Sequence, residues 1–175
     1  MFLVGGIILK KLLALIILFC ITGFIGCSSD KDVDKFFKKK MTEMHKKDSD
    51  YKYSKIYQEM NVISKDDAVI IFTESNKDEE KIFIAYLKEE NNKWNWIQTR
   101  GTTWDSTIKY NYMNNEPYIY SGAISDNSIS KVYVGDKEAK IINIDDEKKF
   151  WYSVNDSTSD KVKIIKDNGE EELLE

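Results

Sequence analysis

The sequence predicts a mainly β fold, an antiparallel β-sandwich or barrel-like sheet with one N-terminal amphipathic helix packed on it. Three observations carry this reading. From residue 51 onward, short runs rich in Ile, Val, Tyr, Phe and Trp are separated by turn signals, at the spacing of about 8–12 residues expected of sandwiches and barrels. Upstream, Val33, Phe36, Phe37, Met41 and Met44 recur at helical spacing, within one arc of roughly 140°. Two strand segments, Ala68–Thr73 and Lys81–Leu87, are apolar on both faces, whereas an antiparallel strand with one wet face alternates. They need a cover on each side, a second sheet on one and the helix on the other.

Along the chain, the first element is the apolar run Leu12–Ile25. It follows Lys10 and Lys11, ends at Gly26-Cys27, and gives way to Ser28, Ser29, Asp30, Lys31 and Asp32. At about 15 residues the run is short of the ~20 that span a bilayer, and its charged start, apolar middle and small residue at the cut are the parts of a secretory signal. The segment resembles a bacterial lipoprotein signal, with Phe24, Ile25 and Gly26 in the three places before the cysteine; Phe24 stands where that pattern has an aliphatic residue. The resemblance implies that residues 1–26 are removed and that Cys27 receives a diacylglyceryl group and becomes the mature N-terminus. The partner so implied is the membrane, and the location is the extracytoplasmic face of the cell membrane. Two acyl chains suffice for stable attachment, at ~0.8 kcal/mol per buried CH2.

Residues 27–50 are expected to hold the lipidated end and a basic amphipathic helix or tether. Asp34 lies near the helix start, and Lys46 and Lys47 near its end, each where the dipole favours it. From Lys31 to Lys47 there are seven lysines against three acidic residues. That basic face would also suit an anionic membrane surface, at ~1 kcal/mol per lysine.

Residues 51–175 are expected to form the antiparallel β domain. Strands are predicted over 54–62, 68–74, 81–88, 93–100, 107–112, 117–124, 130–134, 139–144, 150–154, 162–166 and 172–174. Turns or loops fill 64–67, 75–80 and 89–92. Pro117 opens its strand, where proline is tolerated, and Asn168-Gly169 is the strongest hairpin signal in the chain.

Composition narrows the chemistry. Cys20 and Cys27 are the only cysteines, so the β domain is predicted to stand without disulfides, thiolate metal sites or a cysteine nucleophile. From Asp48 to Glu175 there are 17 basic and 26 acidic residues, a net charge of −9, which argues against nucleic acid as a partner. Acidic runs such as Asp66-Asp67 and Asp145-Asp146-Glu147 read as solvated turn charge, because none has the spaced loop of a calcium hand. His45, the one histidine, is placed in the helix among lysines, without a second ligand. No metal and no cofactor is expected, and no nucleophile elbow, phosphate loop or paired carboxylates mark an enzyme.

Aromatic residues are the most distinctive ingredient. Trp94 and Trp96 share one strand, Trp104 lies in the loop beyond it, and Arg100, the one arginine, offers a planar fork for a carboxylate or phosphate. These four are the candidate ligand face, and core packing is the competing use of the rings.

The low-GC bias of the composition, heavy in Lys, Asn and Ile, points to Firmicutes. From Ser121-Gly122-Ala123-Ile124 through Lys131-Val132-Tyr133-Val134 and Phe150-Trp151-Tyr152 to Asp167-Asn168-Gly169, the chain is similar to small secreted or lipid-anchored proteins of Bacillus and its relatives. That resemblance implies a fold and supplies no catalytic residues. The expected function is a non-catalytic protein-interaction module at the membrane–wall interface, or a carbohydrate or wall-polymer binding module on the aromatic face.

Overall fold

The computed structural model describes residues 29–48, 50–76 and 79–174; the signal segment and Cys27 lie outside the described residues. The chain divides into two compact units, one ending at Met44 and the other running from His45 to Glu175. No helix among the described residues is long and apolar enough to cross a membrane.

The first unit contains the helix α1, Ser29–Met44. Asp30 and Asp32 in its first turn answer the positive end of the helix dipole. Ion pairs at i, i+4 join Asp34 to Lys38 (2.8 Å) and Lys39 to Glu43 (3.8 Å), each contributing about 0.2–0.5 kcal/mol. The buried stripe is narrower than the sequence suggests. Val33, Phe37 and Met41 have no exposed surface, Phe36 is half-buried, and Met44 is 49% exposed. The helix stops before His45, so His45, Lys46 and Lys47 form a turn beyond it rather than its last turn. There His45 stacks on Tyr51 with ring centroids 3.4 Å apart and faces Glu74 at 3.9 Å.

The second unit is mainly β, built from three four-stranded antiparallel sheets. The first sheet is a meander of β1 (Lys52–Met60), β2 (Asp67–Asn76), β3 (Glu79–Glu90) and β4 (Lys93–Thr103). The second contains β5 (Ile108–Tyr112), β6 (Tyr118–Ile124), β9 (Lys140–Asn143) and β10 (Lys149–Asn155), in the order β5-β6-β10-β9. The third contains β7 (Ile129–Val134), β8 (Lys137–Glu138), β11 (Val162–Lys166) and β12 (Glu171–Leu174), in the order β12-β11-β7-β8.

Two cores hold the sheets together. Val69, Ile71, Ile82, Ile84 and Tyr86 of the first sheet meet Ile119, Ala123, Phe150 and Tyr152 of the second. Tyr120, Ile124 and Trp151, on the other face of the second sheet, meet Val132, Val134, Val162 and Ile164 of the third. The central strands β6 and β10 are therefore buried on both faces. So are β2 and β3, as their apolar pattern requires, because Ala68, Ile70, Phe72, Ala85 and Leu87 are at most 1% exposed on the face turned from the first core.

Several boundaries differ from expectation. β2 continues to Asn76 and β3 restarts at Glu79, because the pairs Glu74–Lys81, Ser75–Glu80 and Asn76–Glu79 extend the ladder into the expected loop 75–80. The segment predicted as one strand over 139–144 serves two sheets. Lys137 and Glu138 pair with β7, the buried Ala139 donates its N–H to Val132 O at 2.8 Å, and from Lys140 the chain pairs with β10. The bond before Pro117 is cis, and β6 begins one residue later than predicted, at Tyr118.

Turn chemistry explains two hairpins. Asn91 and Asn92, between the paired Glu90 and Lys93, have φ of +53° and +59°, the double left-handed conformation of a type I′ turn, which asparagine tolerates. At the β11–β12 turn Gly169 has φ +84° and donates its N–H to Lys166 O at 2.9 Å.

Asp67 departs from the reading of its acidic run as solvated charge. It has no exposed surface. Its carboxylate accepts hydrogen bonds from the backbone N–H groups of Val62, Ile63 and Ser64, at 2.8, 3.2 and 2.7 Å. The Ser64 hydroxyl (3.0 Å) and the Tyr86 phenol (3.2 Å) donate to it as well. A buried carboxylate is tolerable only when so satisfied. Burial first, then the charge of Asp67, pushes the Tyr86 phenol up.

Asp67→Asn is expected to lower the unfolding free energy by about 2–3 kcal/mol, since an amide cannot accept the same set of bonds and leaves buried donors unpaired. Urea unfolding reads this as a lower midpoint at unchanged slope. Asn92→Ala is expected to cost about 1 kcal/mol, because alanine lacks asparagine's tolerance of positive φ; an unchanged midpoint would show that the turn relaxes.

Candidate functional site

The residues expected to form a ligand face are divided between the two faces of β4. Trp94 and Trp96 pair opposite Glu89 and Leu87, on the side turned from the first core. Between Trp96 and Gln98 the register shifts, leaving Ile97 as an extra, unpaired residue, a bulge. Beyond it Gln98, Arg100 and Thr102 pair opposite Tyr86, Ile84 and Ile82, on the side of the first core. Regular alternation would have kept Trp94, Trp96 and Arg100 together.

Each of these side chains has internal contacts. Trp94 is buried at 9% exposure. Trp96 is half-buried, donates its ring N–H to Thr99 Oγ1 at 2.5 Å, and meets Phe72 edge-on. Trp104 is half-buried against the first core with Lys148 Nζ 5.2 Å from its ring centroid. Arg100 donates from Nε to Tyr112 O and from Nη1 to Thr99 O, both at 3.0 Å.

The polar groups gather where the edges of the first and second sheets meet. At one seam, between β1 and β9, Glu59 accepts hydrogen bonds from Lys140 Nζ (2.5 Å), Tyr152 Oη (2.5 Å) and Tyr57 Oη (2.6 Å). Lys140 also lies 5.2 Å over the Tyr57 ring, a cation–π contact. Burial alone would push the Glu59 carboxyl up, but the bonds from Lys140, Tyr152 and Tyr57 outweigh it and bring it down to about 2. Burial and the bond to Glu59 push the phenols of Tyr152 and Tyr57 up. The Glu59 carboxylate thus braces β1 of the first sheet against β9 and β10 of the second.

At the other seam, between β4 and β5, side chains take the place of a backbone ladder. The Gln98 amide donates to Asn115 O (2.8 Å) and accepts from Asn115 N–H (3.3 Å), imitating a strand residue. Arg100 reaches the Tyr112 carbonyl, as above. Farther along, Thr103 donates to Asp105 at 2.5 Å, and Lys109 reaches the same carboxylate at 3.2 and 3.4 Å. Those bonds, Thr103 first and then Lys109, draw the Asp105 carboxyl below its usual range.

Beside this second seam lies an open groove of about 390 Å3, bordered by Lys81 and Phe83 of β3, Thr103 of β4, and Lys109, Tyr110 and Asn111 of β5. Gly101 is the floor under Phe83, and a Cβ there would run into the Phe83 ring. A second cleft, of about 460 Å3, mixes Lys88 with Glu116 and Asp156 around Ile63 and Pro117, two carboxylates against one ammonium. Among the described residues, no three His, Cys, Asp or Glu side chains converge as a metal site would require.

Comparison with protein-family models, with curated proteins and with solved structures returns no match to this chain.

The Glu59 brace gives an acid limb to stability. Its folded-state pKa lies below the usual 4.5, so its contribution is complete above that pH and is lost as pH falls towards 2. Glu59→Gln is expected to cost about 1–2 kcal/mol at neutral pH, discounted for partial exposure, and to flatten the loss of stability between pH 4.5 and 2. Urea titrations at several pH values check this, and parallel acid limbs for the two proteins would place the effect elsewhere.

Proposed function

We propose that the chain is a lipid-anchored extracytoplasmic protein whose β unit is a non-catalytic module for binding a protein partner at the membrane–wall interface. One observation carries the non-catalytic reading. The polar side chains best suited to chemistry are engaged inside the domain, with Asp67 closing a turn, Arg100 on two carbonyls and Glu59 bracing two sheets. The anchor rests on Lys10-Lys11, the apolar run and Gly26-Cys27. The proposal includes an antiparallel β-sandwich or barrel-like sheet for the β unit, supported by the two-sided apolar pattern of Ala68–Thr73 and Lys81–Leu87.

Cys27→Ser is expected to leave an uncleaved, unlipidated precursor; a variant that still matures and partitions with membranes would remove the anchor from the proposal. Crosslinking in intact cells, with the lipidated protein as bait and mass spectrometry as readout, tests the partner. One dominant crosslinked protein supports the interaction module.

A second reading, a carbohydrate or wall-polymer binding module, is favoured by the groove at the β4–β5 seam, where Phe83 and Tyr110 stand beside hydroxyl and amide side chains. Recovery of wall fragments without a protein partner in the same experiment supports this reading over the first. Its other form, a face made of Trp94, Trp96, Trp104 and Arg100, would have to form around the bulge at Ile97.

A further inference from the structure

We propose that the groove at the β4–β5 seam binds an anionic saccharide, a sugar ring carrying a carboxylate or phosphate. The inference rests on the carbohydrate reading and names the site and the ligand class within it.

The charge argument is local. The domain from Asp48 to Glu175 is acidic overall, with 26 acidic residues against 17 basic, yet the groove is lined by two lysines and no carboxylate. Thr103 lies between them. Lys81 is its cross-strand partner on β3, and Lys109 comes within 3.5 Å of its hydroxyl from β5. The Lys109 ammonium beside the Thr103 hydroxyl suits an acidic group that arrives with hydroxyls attached, because charge-assisted bonds fix it while the hydroxyls complete its contacts.

The rings supply the other half. Phe83 lies over Gly101 on one side and is stacked on Phe72 at 5.3 Å, so its position is set by packing. Tyr110 is half-buried and backed by Trp151 at 6.4 Å. Rigid rings beside a few placed polar groups are the composition of a small-molecule site, and the volume lies within the usual range of about 300–1,000 Å3.

Asp105 fills the role of a resident counter-ion. It is exposed and holds Lys109 at 3.2 Å, and an arriving anion must compete with it for that lysine. Removing its charge should strengthen binding, a result that a purely structural role for Asp105 does not give.

The test uses the full chain in neutral detergent micelles, titrated with trigalacturonate, chitotriose and inorganic phosphate, and followed by calorimetry and amide chemical shifts. Trigalacturonate is expected to bind and to shift Thr102, Thr103 and residues 109–111, with chitotriose about tenfold weaker or more. Lys109→Gln is expected to weaken trigalacturonate about tenfold and Asp105→Asn to tighten it severalfold, both at exposed positions where folding is kept. Phosphate binding as well as trigalacturonate would reduce the groove to a bare anion site and overturn the proposal. So would the absence of shifts in the groove with every probe, or an Asp105→Asn variant with unchanged affinity. Chitotriose shifts centred on Trp96 would overturn the groove assignment while leaving the carbohydrate reading standing.

Discussion

Phe150, Trp151 and Tyr152 are consecutive residues of β10, and they point alternately into two different cores. Most of the β unit depends on that alternation. Because side chains on a strand change face at every residue, slipping β10 by one position would exchange the contents of both cores at once. Its partner β6 carries the same constraint through Ile119, Tyr120, Ala123 and Ile124. A sheet buried on one face tolerates polar residues on the other, whereas the second sheet has to place polar groups inside the unit. There the Tyr120 hydroxyl and the Trp151 ring N–H are left without a hydrogen-bond partner among the described residues, but Ser153 and Asn155 are paired. Ser153 donates to Asn155 Oδ1 at 2.7 Å, and Asn155 Nδ2 donates to Val134 O and Asp160. The same crowding explains Gly122, where a Cβ would meet the Lys109 carbonyl and the Trp151 ring.

The margins of the first two sheets follow a different logic. At the seams, side chains of Gln98, Arg100, Glu59 and Lys140 replace ladder hydrogen bonds, so the sheets meet without a continuous backbone pairing. The strands β1 and β4, which face these seams, carry bulges at Ile56 and Ile97, and a bulge bends its strand and increases the local twist. On β4 this has a second effect, since the bulge turns Arg100 into the seam and away from Trp96. The groove proposed as a ligand site opens at the same seam, beside the contacts among Thr103, Asp105 and Lys109.

Much of the fold was legible in the sequence because its signals are local. Aromatic and β-branched runs between turn residues mark the strands, the two-sided apolar pattern of β2 and β3 announces their burial, and Asn168-Gly169 marks the last hairpin. The third sheet was not legible, because which strands share a sheet is a matter of pairing across long separations. The bulge at Ile97 was hidden too, since Trp94, Trp96, Gln98 and Arg100 read as unbroken alternation. Asp67 looked like a turn acid, and only Ser64, three residues before it, hinted at a carboxylate folded back on its own turn. Glu59 offered no local clue, its partners Lys140 and Tyr152 being 81 and 93 residues away.

The strand order also dictates a sequence of assembly. The first sheet is a chain of adjacent hairpins, with each strand paired to its neighbour in sequence, so it can zip from local contacts. The other two sheets interlock. β6 lies beside β10, and between them the chain visits the third sheet through β7 and β8 before returning by β9. The second cannot close until β10, ending at Asn155, has arrived, and the third not until β11, from Val162, has; the entropy of closing those loops is lost before any core contact repays it. The first sheet is thus the one whose pairing needs the least loop closure, and the amides of β6 and β10, covered by a core on each face, are expected to be among the slowest to exchange with solvent.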